Sequence, residues 1–153
     1  KLGWQMQDYN PLGAAGNAAA ASAAKGHALL AKPWLEAADF AAHTLITYPV
    51  TRDKLDVFTE LLTAAKVEPR AQRPVELTAV ILMLVGSNRG VAVLPDWVLR
   101  DVKSNADYVT RPLGPGTITK RLYAATREED AGKPYIAHFL RLGRSEAVKL
   151  QRS

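Results

Sequence analysis

Cysteine is absent from the sequence, which excludes disulfides and thiolate metal ligands and leaves cysteine usage silent on redox compartment. Long apolar runs are missing too. The longest, Ala79 to Val85, falls far short of the roughly 20 residues a bilayer span needs. After Lys1, the polar residues Gln5, Gln7, Asp8 and Asn10 leave no apolar stretch like that of a secretory signal. A cytoplasmic protein without membrane association is therefore expected. Catalytic patterns are equally scarce. His27, His43 and His138 stand in separate elements without the i, i+4 spacing of metal ligands. No serine sits in a G-x-S-x-G elbow. Gly13-Ala14-Ala15-Gly16 lacks the flanking strand and the Lys-Ser/Thr of a phosphate loop. Glu128-Glu129-Asp130 reads as a solvated turn before Pro134 rather than a cation site. No catalytic residue, metal or cofactor is expected.

What is present is enough apolar material, 48% of 153 residues, for one ordinary core or two small lobes sharing a few strands. Twenty basic and 15 acidic side chains give a net charge of +5, but they are scattered and read as solvated surface rather than a nucleic-acid footprint. Residues 1 to about 24 differ in kind. From Ala14 to Ala24 the chain holds only alanine, glycine, asparagine and serine, with no amphipathic pattern. That composition fits a linker or a stretch foreign to the fold, and no function is assigned to it.

From Lys32 onward, helical and strand-like patterns alternate. Pro33 is expected to open a short helix through Glu36, Ala37 and Phe40. His43 to Tyr48 is a β-branched and aromatic run stopped by Pro49, the mark of a strand ending in a turn. Leu55, Phe58, Leu61, Leu62 and Ala65 then share one helical face, with Thr51 or Asp53 able to cap its start. Pro69 and Pro74 bracket a connection, and Val75 to Leu77 is expected as a second, shorter strand. Thr78 is the expected N-cap of a helix through Val80, Ile81, Leu84 and Val85, closed by Ser87 and the left-handed exit Asn88-Arg89-Gly90. Val91 to Leu94 reads as a buried strand, and Pro95 begins a helix with Trp97, Val98 and Val102. The alternation predicts an α/β fold with a parallel sheet covered on both faces. Tyr108 to Leu113 and Ile118 to Thr126 read as strands around the turn Gly114-Pro115-Gly116. Pro134 then opens a helix whose Ile136, Phe139, Leu140 and Gly143 are expected to share one face.

In open α/β sheets ligands collect at the carboxyl ends of strands, where loops and helix starts present free N–H groups. Two such ends are the loop Tyr48, Pro49, Val50, Thr51, Arg52, Asp53 and the turn at Leu94, Pro95 and Asp96. Thr51 can donate and accept, Arg52 can grip a carboxylate, Asp53 can hold an ammonium, and Tyr48 offers a face and a hydroxyl. Such a set suits a small zwitterion such as an amino acid. A purely structural reading stands equally beside it, with Asp53 as a helix cap, Arg52 in solvent and Tyr48 in the core. For Thr78, N-cap duty is the simpler assignment.

The order of motifs from about Lys25 to Arg144 resembles the effector-binding domain of LysR-type transcriptional regulators. LITYPVTRDKLDVF, VELTAVILMLVGSNRGVAVLPDWVL and ITKRLYAATREED are especially similar to the methionine-biosynthesis branch, which responds to homocysteine. The resemblance implies a type II periplasmic-binding-protein-like fold, two α/β lobes joined by two crossover strands, and an inducer in the cleft. Residues 25–153 would form the effector-binding domain, with about 35–105 as the second lobe and 108–150 returning to the first. The positions it carries over are Tyr48 to Asp53, Thr78, Leu94 and Pro95. A winged helix-turn-helix, a linker helix and the opening strand and helix of the first lobe are not recognisable, so that lobe reads as incomplete. Promoter DNA would be met through an N-terminal module absent here, and a homodimer or homotetramer is expected. A solute-binding protein of a transporter, with the same fold, is the alternative. It would require export. An enzyme is not expected, because no nucleophile and base can be paired.

Overall fold

The computed structural model describes residues 4–8, 19–100, 107–116 and 123–152. Its strands are β1 (Trp4–Asp8), β2 (Ala19–Ala24), β3 (Thr44–Thr47), β4 (Ala71–Pro74), β5 (Val91–Pro95), β6 (Tyr108–Pro112) and β7 (Tyr123–Arg127). The helices are α1 (Thr63–Ala65), which continues a π-helix over Val57–Leu62, then α2 (Thr78–Gly86), α3 (Asp96–Arg100) and α4 (Pro134–Arg152). Chain contacts divide these elements into two units, one holding β2 through β6 and the other β1, β7 and α4.

The first unit is a five-stranded sheet in the order β4-β3-β5-β2-β6. β3 runs parallel to β4 and to β5, with Ile46 opposite Arg73 on one side and Ala92 on the other. β2 runs antiparallel to both of its neighbours, placing Ala21 opposite Val93 and Arg111. The sheet is therefore mixed, not wholly parallel as expected. The antiparallel strand comes from the alanine-rich stretch to which no role was assigned. Small side chains suit it there: Ala19, Ala21, Ala23 and Ala24 are all buried, and the buried Ser22 hydroxyl donates to the Ala92 carbonyl at 3.2 Å.

Both sheet faces are covered, as the alternation predicted. One face packs Ala21, Leu45 and Val91 against Leu35, Phe40, Phe58 and Leu62. The other packs Ile46, Ala92 and Leu94 against Ile81, Leu82 and Val85 of α2 and Leu99 of α3. Alternation along β3 sends Leu45 and Ile46 to opposite faces, as the period of two requires. At the return from α2, Asn88 takes the left-handed conformation (φ 56°). Gly90 lets the chain pass so close to β3 that an added Cβ would lie 2.6 Å from the Thr44 carbonyl oxygen.

Several local expectations are corrected. Pro33 does not start a helix; the turn is 3-10, spans Ala37–Phe40, and is set by the Asp39 carboxylate accepting from the Glu36 N–H at 2.8 Å. Burial opposes the charge on Asp39, but that N–H and the Lys32 ammonium, 2.8 Å away, hold its carboxyl below the usual range. Thr51 and Asp53 do not cap the helix of Phe58. They belong to a separate 3-10 turn, Arg52–Lys54, which Thr51 precedes without a side-chain cap. The short strand is Ala71–Pro74 rather than Val75 to Leu77; the Val75 N–H, donating to the Thr47 carbonyl at 2.8 Å, makes the last bond of its parallel ladder with β3. Pro74 is tolerated there because β4 is an edge strand.

The second unit pairs β1 with β7 antiparallel, Met6 opposite Ala125. In α4, Leu140 is buried and Ile136 and Gly143 are half-buried, but Phe139 is 67% exposed. All four therefore share one face of the helix, as their i, i+3, i+4, i+7 spacing requires, with Phe139 at its more exposed side. Residues 9–18, which include Gly13–Gly16, Val102, and residues 118–122 of the expected strand lie outside the described residues.

Candidate functional site

Parallel pairing brings the carboxyl ends of β3, β4 and β5 to one end of the sheet. Antiparallel β2 begins at that same end, with Ala19 opposite Pro95. The loops after these strands carry most of the residues expected from sequence. Tyr48, half-buried, follows β3, and its hydroxyl lies 2.7 Å from that of Thr78 at the start of α2. Either oxygen can donate, so the pair offers one donor and one acceptor direction to a third group.

Thr78 is not the N-cap. Leu77 holds that position and has no acceptor to offer, so the first N–H groups of α2, at Thr78 and Ala79, meet no acceptor among the described residues. A helix start left open in this way carries partial positive charge and favours an anion. Val50 and Leu77, apolar yet exposed, stand in the segments on either side of the hydroxyl pair in sequence.

Pro49, Val50, Thr51, Arg52 and Asp53 are all exposed. Arg52 is already engaged. Its Nη1 donates to both carboxylate oxygens of Glu68, at 3.0 and 2.8 Å, and its Nε donates to Gln72 Oε1 at 3.1 Å. The guanidinium also lies 4.5 Å from the centre of the Phe58 ring. Gln72 passes the contact on, donating from Nε2 to Thr47 Oγ1 at 3.1 Å. Leu94 points into the core against α2, which leaves only its backbone to a site, while Pro95 is half-buried.

Three features were not visible in the sequence. Glu68 and Gln72 lie 16 and 20 residues from Arg52, outside any local spacing rule. Leu77 as an apolar N-cap breaks the preference that made Thr78 the natural choice. His27 and His43, from separate elements, meet edge to face with ring centres 4.8 Å apart. Burial, the neighbouring His27 and Arg70 push the His43 pKa below the ordinary range, against the pull of Asp39. Among the described residues no group of three or more His, Cys, Asp or Glu could hold a metal ion, and no helix is long and apolar enough to cross a membrane. A pocket of about 320 Å³ on α4, lined by Ala137, Leu140, Arg141 and Arg144 among others, contains none of the expected site residues.

Residues 18–147 match the family described as LysR substrate binding domain. The chain is 36% identical over 124 residues, 81% of its length, to the HTH-type transcriptional regulator MetR of Escherichia coli (strain K12), covering 38% of that protein. It is 34% identical over 123 residues, 80% of its length, to the MetR regulator of Haemophilus influenzae, of which it covers 40%. Among solved structures, the regulatory domain of MetR, a LysR family regulator from N. meningitidis, matches with a TM-score of 0.85 and 32% identity, over 97% of this chain and 66% of that one. The chain thus spans only 38–40% of the length of these curated relatives. The mixed α/β fold is that of LysR effector-binding domains, of the periplasmic-binding-protein-like type. This chain belongs to the LysR substrate-binding domain family, a family of transcriptional regulators and not of enzymes.

Proposed function

We propose that this chain is the effector-binding domain of a cytoplasmic LysR-type regulator of methionine biosynthesis, with homocysteine as its coregulator. The observation that carries the sensing role is the Tyr48–Thr78 hydroxyl pair beside the open start of α2, at the carboxyl ends of β3 to β5. The likeness to MetR regulators supports the pathway.

In this reading, the N–H groups of Thr78 and Ala79 and the hydroxyl pair receive the effector carboxylate. Asp53, on the exposed loop with Pro49, Val50 and Thr51, takes the ammonium. Val50 and Leu77 flank the thiol-bearing arm, and the backbone at Leu94 and Pro95 closes the strand side. Arg52, engaged with Glu68, is not the carboxylate grip. Pairing of β2 with β5 and β6 supports starting the domain at Ala19 rather than Lys25. About 35–105 remains assigned to the second lobe; of 108–150, expected to return to the first, β6 (Tyr108–Pro112) instead pairs with β2 in the same five-stranded sheet, so the return is assigned only to residues beyond 118.

The effector acts by binding one arrangement of the regulator better than another, because only differential affinity can shift an equilibrium. The output is promoter DNA bound through an N-terminal winged helix-turn-helix, in a homodimer or homotetramer. Isothermal titration of homocysteine into the full-length protein tests the assignment. Saturable heat at or below millimolar concentration is expected, and its absence would sink the effector.

A further inference from the structure

The loop after β3 has little apolar reason to keep one shape. Every residue from Pro49 to Lys54 is exposed, and a segment without buried contacts opens at little cost. Yet Arg52 ties it down at three points: the Glu68 carboxylate, the Gln72 amide and the Phe58 ring. These partners are anchored in turn. Phe58 is a buried residue of the π-helix, Gln72 lies in β4, and the Gln72 amide also reaches Thr47, the buried last residue of β3. Only one orientation of the Gln72 amide serves both contacts, its oxygen toward Arg52 and its nitrogen toward Thr47.

We infer that Arg52 is a positioning residue. It clamps the loop from Tyr48 to Lys54 to β4 and the π-helix in the shape the effector requires, and touches no effector itself. This rests on the reading of that loop as the effector site. The clamp needs arginine, since one planar group must serve Glu68 and Gln72 at its edge and Phe58 at its face, and the point charge of lysine cannot do all three. The side chains of Arg52 and Glu68 are 48% and 70% exposed, so the ion pair is weak and the effect falls on the loop rather than on global stability.

The test uses Arg52→Lys, Glu68→Gln and the double variant in the full-length protein. Two quantities are read: amide hydrogen exchange of residues 50–55 without ligand, and the homocysteine dissociation constant by calorimetry. Each single variant is expected to speed exchange and weaken binding by about two- to fivefold. The double variant should be no worse than the worse single, because both break one clamp. Unchanged exchange in all three variants would overturn the clamp. A much larger affinity loss for Arg52→Lys than for Glu68→Gln, with multiplying effects in the double variant, would overturn the positioning role and make Arg52 a direct contact. If the unaltered protein binds no homocysteine, the effector reading and the positioning role fail, while the exchange measurement still judges the clamp.

Discussion

Replacing Ala21 by leucine probes the least expected element of the fold. Three added carbons would stabilise by about 2.4 kcal/mol if the site had room, at about 0.8 kcal/mol for each buried methylene. The surroundings leave none. Ala21 is 1% exposed, lies between Val93 and Arg111 in the middle of the sheet, and packs in the cluster of Leu35, Phe40 and Leu45. Close-packed interiors answer such insertions with off-rotamer side chains and backbone shifts, for a net loss of about 1–3 kcal/mol. Each kcal/mol lowers the melting temperature of a unit of this size by about 4–8 °C. Thermal unfolding followed by far-ultraviolet circular dichroism should therefore show Ala21→Leu melting at least about 4 °C lower. A melting temperature equal to or above that of the unaltered protein would refute the placement of the alanine-rich strand inside the core.

Gly90→Ala should cost about 1–3 kcal/mol in urea unfolding, because the new Cβ meets a backbone oxygen 2.6 Å away and two Ile46 side-chain atoms at 3.0 and 3.1 Å. Equal stability would contradict the close approach of this turn to β3. Tyr108→Phe removes a buried hydroxyl that has no partner among the described residues, so it should be neutral or stabilising by about 1 kcal/mol; a loss above that would show a hidden partner. Burial also raises the Tyr108 phenol above its ordinary 10.0. The unfolded chain then ionises first as pH climbs past that value, so stability falls there, and Tyr108→Phe should lessen the fall in alkaline denaturation. For His43, whose pKa is lowered from 6.5, the sign reverses: the unfolded chain takes the proton first as pH drops below 6.5, so stability declines from there downward. A His43 titration midpoint at or above 6.5 by NMR would contradict the burial of its ring.

The elements legible in the sequence were those with both a pattern and a stop. The run HTLITY ended by Pro49 became β3, and the apolar run after Thr78 became α2, because alternation and burial agreed there. β2 was illegible for a physical reason. A central strand covered on both faces shows no alternation, and one made of alanine shows no bulk either, so its strand character comes wholly from its neighbours. The shift of the short strand to Ala71–Pro74 has a similar cause. Gln72 and Arg73 look like loop residues, and an edge strand can carry them. At the candidate site, the sequence located the loop and Thr78 but not their use. Nothing local distinguishes an Arg52 that grips a ligand from one that grips Glu68, and only the folded chain brings Glu68 and Gln72 within reach.

The most direct test of the sensing account is the homocysteine affinity of Tyr48→Phe, which deletes one hydroxyl of the 2.7 Å pair and keeps the ring packed. Loss of a hydroxyl contact to a charged ligand predicts a dissociation constant raised roughly ten- to a hundredfold, with the melting temperature little changed. An affinity equal to that of the unaltered protein would place the effector elsewhere and contradict the account.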